Sequence, residues 1–296
     1  MSHPTAVDLD GNNTVDRIYA GDLAGYVHAF DVSDINSSAW EANASLASPL
    51  FSAQDDNGNK TPITSGISVG SHPTQQGLMV YFGSGKYLEF GDRTATADEN
   101  RVYGLWDDLE SDQFSPNNPT NELVQQSITN ETSESYDLDD DEVAETVVRT
   151  RESTQHAIDW DLHKGWYLDL VYQNVNGEQV IANPVLRDGR LFVSTHEPTS
   201  DQCSVSEEGW LMVFDPRSGA MLEESPFDLD GDGVFDGAST FSGFKNGVNP
   251  FAAPTFAAAT QDDVLLTQTG DDQEPQSQDV KASINNGTLT WRELEP

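Results

Sequence analysis

YAGDLAGYVHAFDVSD, residues 19–34, places a glycine turn ahead of an alternating strand that ends in Phe-Asp and a second turn. EEGWLMVFDPRSGAM, residues 207–221, repeats that order, and VYFGSGKYLEFGD, residues 80–92, follows it more loosely. Successive strand side chains point to opposite faces, so apolar residues at every second position mark a half-buried strand. A weak recurrence of strand, glycine turn, strand and aspartate is how propeller blades show themselves in a sequence. Two unrelated hairpins can also look alike, so this feature alone leaves ordinary hairpins open.

Outside these stretches helical periodicity is nearly absent. Short apolar runs recur between Gly, Asp, Asn and Pro, the pattern of an all-β chain. Strands are expected at 17–20, 26–31, 63–69, 78–82, 102–106, 166–170, 180–186, 191–195, 210–214, 264–268 and 288–292. Two segments break the pattern. Residues 110–146, which include YDLDDDEVAE, are polar and acidic and are expected to form a long acidic loop inserted in a blade. GDDQEPQSQD, residues 270–279, is expected to be a solvated loop. No domain boundary stands out, so 1–296 is expected to form one all-β domain.

Fifty-one acidic residues face 14 basic ones, for a formal charge of −37. Such a surface repels phosphates and anionic head groups, which argues against nucleic acid and membrane surfaces as partners. Two readings of the charge compete: adaptation to a saline medium, where salt screens self-repulsion, and carboxylates that serve as divalent-cation ligands. The first is expected for the bulk of the excess, since only particular clusters have metal-site spacing. No stretch approaches the roughly 20 apolar residues of a membrane span. The opening MSHPTAVDLDG has no basic region followed by an apolar run, so the chain is expected to be a piece of a longer exported protein with its signal upstream. Cys203 is the only cysteine and cannot form an internal disulfide.

The strongest local motif is DLDGNNTVD, residues 8–16. Asp8, Asp10 and Asn12 sit at alternate positions, followed by Thr14 and Asp16. In calcium loops of this spacing, oxygens from positions 1, 3, 5 and 9 converge on the ion and position 7 offers its backbone carbonyl. Position 12, the bidentate Glu of an EF-hand, is Tyr19, and a strand follows, so water or another side chain such as Asp22 is needed to complete the shell. DLDGDGVFDG supplies a second set: Asp228, Asp230, Asp232, the Val234 carbonyl and Asp236, with Gly233 at the sharp sixth position. Metal-free Asx turns are the alternative at both places. Asp137–Glu142 lacks the alternation and is expected to be a solvated charge run, and QDDNGNK (54–60) a hairpin turn.

Catalytic signals are weak. The six histidines are dispersed, Cys203 has no nearby His to activate it, and GSGK at 83–86 lacks the frame of a phosphate-binding loop. Trp106, Trp160, Trp166, Trp210 and Trp291 lie in or beside apolar runs and are expected to pack in the core; Trp40 is expected to be a core or loop anchor.

In order along the chain, residues 6–32 (AVDLDGNNTVDRIYAGDLAGYVHAFDV), 49–64 (PLFSAQDDNGNKTPIT), 77–92 (GLMVYFGSGKYLEFGD), 101–108 (RVYGLWDD), 164–170 (KGWYLDL), 180–198 (VIANPVLRDGRLFVSTHEP) with Cys203, and 209–219 (GWLMVFDPRSG) succeed one another. Together with the ending NNGTLTWRELEP, this succession resembles the C-terminal propeller of the PilY family, type IV pilus tip-associated adhesins and biogenesis factors. The resemblance covers nearly the whole chain except the acidic insertion. It implies a modified β-propeller, complete or partial, calcium held by Asp8, Asp10, Asn12, Thr14 and Asp16, and roles in pilus assembly, surface adhesion and control of retraction in twitching motility. It also implies minor pilins of the tip complex, and a host or abiotic surface, as partners, and an extracellular place at the pilus tip. Two departures stand out. The first block normally lies inside the family's domain, which implies missing earlier blades, and Asn13 stands where the loop favours Gly, which implies weaker affinity.

The leading expectation is therefore a noncatalytic, calcium-responsive scaffold. A quinoprotein-like propeller dehydrogenase, which would also use Ca²⁺, and an envelope assembly scaffold unrelated to pili are the alternatives.

Overall fold

Two kinds of strand are written into the chain. Alternating segments such as YVHAFD can bury one face, whereas unbroken apolar runs such as LMVYF need cover on both. A computed structural model places them accordingly. It describes residues 1–40, 49–89, 91–92, 99–109, 114, 119–136, 146–173, 177–198, 208–224, 227, 240–245, 251–258, 263–267 and 276–280. Helix among the described residues is limited to 3-10 turns such as Ser37–Ala39 and Pro119–Glu122.

Strands β1 (Thr5–Val7), β2 (Arg17–Gly21), β3 (Tyr26–Asp31) and β4 (Phe51–Ser52) form an antiparallel sheet in that order. A ten-stranded sheet follows, from β5 (Ser68–Ser71), β6 (Leu78–Gly83), β7 (Arg101–Asp107), β8 (Val124–Tyr136), β9 (Thr146–Ser153), β10 (Gly165–Asp169), β11 (Val185–Arg187), β12 (Arg190–Ser194), β13 (Leu211–Phe214) and β14 (Gly243–Lys245). Its order is β11-β12-β13-β14-β9-β8-β10-β7-β6-β5. The β8–β10 pairing is parallel, with Trp166 opposite Val124, and joins two otherwise antiparallel halves. The ends of this sheet meet. Ser68 Oγ donates to the Pro184 carbonyl at 2.6 Å, and Gly66 N donates to Asn183 Oδ1 at 2.6 Å. Strands β15 (Thr255–Ala258), β16 (Asp263–Thr267) and β17 (Gln276–Val280) form a third sheet.

Alternation along β6 shows how the sheets stack. Leu78, Val80 and Phe82 enter a core with Tyr19, Val27 and Phe51 of the first sheet. Met79 and Tyr81 enter a second core with Trp166, Leu191, Trp210, Met212 and Phe214, enclosed between the two halves of the large sheet. Leu211 and Val213 then face a third core with Phe192, Phe227, Phe241 and Phe244, against which Phe256 of β15 packs. Sheet, core and sheet succeed one another in the face-to-face manner of propeller blades.

Trp166 and Trp210 are fully buried, as expected. Trp166 Nε1 donates to the Pro216 carbonyl at 3.0 Å. Gly104 leaves room for the indole: a Cβ there would lie 2.4 Å from the ring. Trp106 and Trp160 are only partly buried, and both rings pack on His72, with centroids 4.6 and 4.2 Å away. Trp40 is partly exposed, its Nε1 donating to the Asp34 carbonyl at 2.7 Å.

Several expectations change. Within 110–146, β8 runs through Val124–Tyr136 and pairs antiparallel with β9, so a stretch of the segment expected as loop is a strand. Its polar residues are accommodated because ladder hydrogen bonds are made by the backbone. Gln276–Val280 is likewise a strand rather than a solvated loop. The strand expected at 63–69 is shorter, starting at Ser68, with Ile63 making only a single bridge to Gly85. That at 180–186 begins at Val185. The strand at 288–292, Trp291, Cys203 and the run Asp137–Glu142 lie outside the described residues.

Replacing Trp166 by Ala is expected to cost about 3–5 kcal/mol, the range for emptying a large aromatic site, as measured by chemical denaturation. His72 adds a pH dependence. Burial lowers its pKa from 6.5 to about 4, while its Nδ1 accepts from Gln75 N at 2.8 Å. The folded protein therefore holds it neutral, and its contribution is present above pH 6.5 and lost as pH falls through about 4. The melting temperature is expected to fall across that window, and less steeply in His72→Phe.

Candidate metal centre

The motif at 8–16 forms the connection between β1 and β2, where Val7 pairs with Arg17. The first sheet thus begins one strand earlier than the sequence suggested. The turn is tight, with Gly11 at φ 76° and Asn13 at φ 67°. Asn tolerates this left-handed conformation better than most side chains, which explains its use where glycine is favoured.

Carboxylate oxygens of Asp8, Asp10 and Asp16 all lie within 4.8 Å of one another. Asp8 organises the turn: its Oδ1 accepts from Gly11 N at 2.7 Å and Asn12 N at 3.2 Å, and its Oδ2 from Asn13 N at 2.7 Å. Desolvation pushes the Asp8 carboxyl up, but these amides together outweigh it and hold its pKa below the ordinary value. Asp10 accepts from Asn12 N at 3.0 Å and from Asn12 Nδ2 at 2.9 Å. Asp16, buried, accepts from Leu9 N at 2.7 Å. Thr14 donates to Asn12 Oδ1 through its amide at 2.7 Å and through its hydroxyl.

Ligands across one Ca²⁺ at 2.3–2.6 Å are at most about 5 Å apart, so the three carboxylates have the spacing to share one ion. Their donor set is all oxygen, which suits a hard divalent cation. Asn12 and Thr14 lie on the same loop, and Asn12 Oδ1 is taken up by the two Thr14 donors. Asp22 does not join them. It follows β2 at the opposite end of the strand, where its Oδ2 meets His28 Nε2 at 2.9 Å. Tyr19, at the twelfth position, points into the first core with its hydroxyl on Asp107 at 2.5 Å. The strand geometry that follows the loop carries that side chain inward, so position 12 supplies no ligand. The second set, Asp228, Asp230, Asp232, Val234 and Asp236, lies outside the described residues.

The scarce basic residues are what sequence reasoning missed. Arg17 meets Asp107, Arg101 meets Asp169 and Asp56, and Arg151 meets Glu131 and Glu178. An arginine within an apolar strand of so acidic a chain was the available signal.

Comparison with known proteins follows the same lines. Residues 1–139 match the PilY1 beta-propeller domain family. The Type IV pilus biogenesis factor PilY1 of Pseudomonas aeruginosa (strain PAO1) is 30% identical over 272 residues, covering 84% of this chain and 23% of that protein. The chain carries a PilY-family propeller domain. A PilY1 homolog of Xylella fastidiosa is 32% identical over 226 residues, covering 74% of this chain and 14% of the homolog. The crystal structure of the P. aeruginosa PilY1 C-terminal domain superposes with a TM-score of 0.76 at 24% identity, over 95% of this chain and 60% of that one. This PilY-family chain therefore spans about a quarter or less of the length of the curated relatives it matches.

Gly11→Ala, by placing a Cβ at φ 76°, is expected to cost the loop about 1 kcal/mol. Hydrogen exchange of the Asn12 and Asn13 amides, which Asp8 binds, is expected to accelerate correspondingly.

Proposed function

We propose that this domain is a noncatalytic, calcium-binding propeller of a type IV pilus biogenesis protein, acting in pilus assembly at the cell surface. The observation that carries the reading is the convergence of Asp8, Asp10 and Asp16 within 4.8 Å on a hairpin loop of a PilY-family fold. The names of the relatives, type IV pilus biogenesis factors, support the pilus context. Calcium gathers the three carboxylates, cancels their repulsion and rigidifies the end of the first sheet. Binding energy then favours the conformer that contacts its partners. Those partners are minor pilins of the tip complex, and through them the domain contributes to adhesion and to calcium-dependent control of retraction. The acidic bulk of the surface keeps the domain dispersed in a saline exterior.

With oxygen ligands but no bidentate acid at position 12, Ca²⁺ affinity is expected at about 10⁻⁶ to 10⁻⁴ M. Calorimetric titration of the chain should show saturable Ca²⁺ binding that Asp10→Ala abolishes. At 100 times Kd the ion should raise stability by about 2.7 kcal/mol. No saturable heat, or the same heat in Asp10→Ala, refutes calcium binding at this loop; failure to co-purify with minor pilins refutes the pilus assignment.

A further inference from the structure

Residue 17 follows the last carboxylate of the acidic loop, and there the loop meets the rest of the fold. The Asp16 backbone is held on both sides: its N donates to the Val7 carbonyl and its carbonyl accepts from Val32 N, each at 2.8 Å. Next in the chain, Arg17 lays its guanidinium on Asp107 of β7, in the neighbouring sheet. Its Nε and Nη2 stand 2.8 and 2.7 Å from the same Asp107 Oδ2. Tyr19 donates to that oxygen at 2.5 Å and accepts from Arg17 Nε at 3.1 Å. The other oxygen, Oδ1, accepts from Leu109 N at 3.0 Å. The Asp107 side chain is fully buried and the Arg17 side chain largely so. A buried charge pair between two sheets thus begins one residue after a metal-loop aspartate.

Two effects oppose each other here. Three carboxylates held this close repel, and the loop could relieve that by moving Asp16 outward. Moving Asp16 would draw Arg17 away from Asp107 and leave a fully buried carboxylate without its cation, a larger penalty than repulsion within a loop where Asp8 and Asp10 reach solvent. The geometry points to Arg17, Tyr19 and Asp107 as positioning residues for the acidic loop, coupling divalent-cation binding at Asp8, Asp10 and Asp16 to the docking of the first sheet on the second. This coupling rests on the calcium reading of the loop. It is reciprocal: the buried pair preorganises the loop for the ion, and the ion steadies the contact between sheets. Arg17 does not simply oppose the ion by its charge, because Asp107 neutralises it.

The test uses the full chain. Arg17→Lys keeps the charge but loses the fork, and Asp107→Asn keeps the shape but loses the charge; neither removes a ligand. Calorimetry is expected to show Ca²⁺ binding weakened roughly 5- to 20-fold in both, the scale of a moderate coupling. In the unaltered chain, Ca²⁺ is expected to slow amide exchange along β7, Arg101–Asp107, as well as in the loop. Unchanged affinity in the two folded variants overturns the coupling while leaving calcium binding intact. Should either variant fail to fold, the exchange measurement decides: protection confined to residues 7–17 overturns the coupling, and protection reaching β7 supports it. Absence of Ca²⁺ binding to the unaltered chain overturns the calcium reading, and the coupling with it.

Discussion

Met79 and Tyr81 on one face of β6, and Val80 and Phe82 on the other, are all at 1% exposure or less, so this strand lies between two cores. Strands β12 and β13 are in the same position, with Leu191 and Met212 on one side and Phe192 and Val213 on the other. A sheet apolar on both faces has to be covered on both, which forces the stacked arrangement of sheets. Strands held this way are apolar on both faces, so polar side chains fall on the other strands and on the connections. The acidic loop at 8–16 is one such connection, anchored by β1 and β2 and aimed by the sheet beneath it.

The same stacking sets the problem of charge. In a chain of net charge −37, several of the few cations are used inside. Arg151 lies over the Trp210 ring at 3.9 Å and binds Glu131 and Glu178, while Arg101 stacks on Tyr167 at 4.7 Å and binds Asp169. Lys245 joins Glu197 at 2.6 Å beside the same tryptophan. These pairs tie strands that meet only in the folded state, and each leaves an uncompensated charge if one partner is lost. The acidic residues among those described are thus divided: some carboxylates are internal partners of arginine, three gather at the loop, and others, such as Asp34 and Glu89, are exposed. Fold alone does not specify what such a domain does; the loop and its supports carry the functional argument.

Local order was legible where periodicity is strong. The strands expected at 26–31, 78–82, 102–106 and 191–195 all appear within a residue of those limits, because alternation and apolar runs are properties of consecutive residues. The acidic loop was legible as spacing for the same reason. Polar strands were not: VQQSITNETSESY and QSQDV carry little apolar signal, and backbone pairing with β9 and β16 makes them strands. β1 is three residues long, too short for any period to show.

By itself, then, the sequence determined an all-β chain, its principal strands, and an aspartate loop with the spacing of an oxygen-ligated cation. Tertiary structure alone decided the parallel join of β8 to β10, the removal of Asp22 from the loop, and the seating of Arg17 on an aspartate 90 residues away. The division has one physical cause. Alternation and turn chemistry act between near neighbours in the chain, whereas strand pairing and the neutralisation of a buried charge depend on partners that only folding brings into contact.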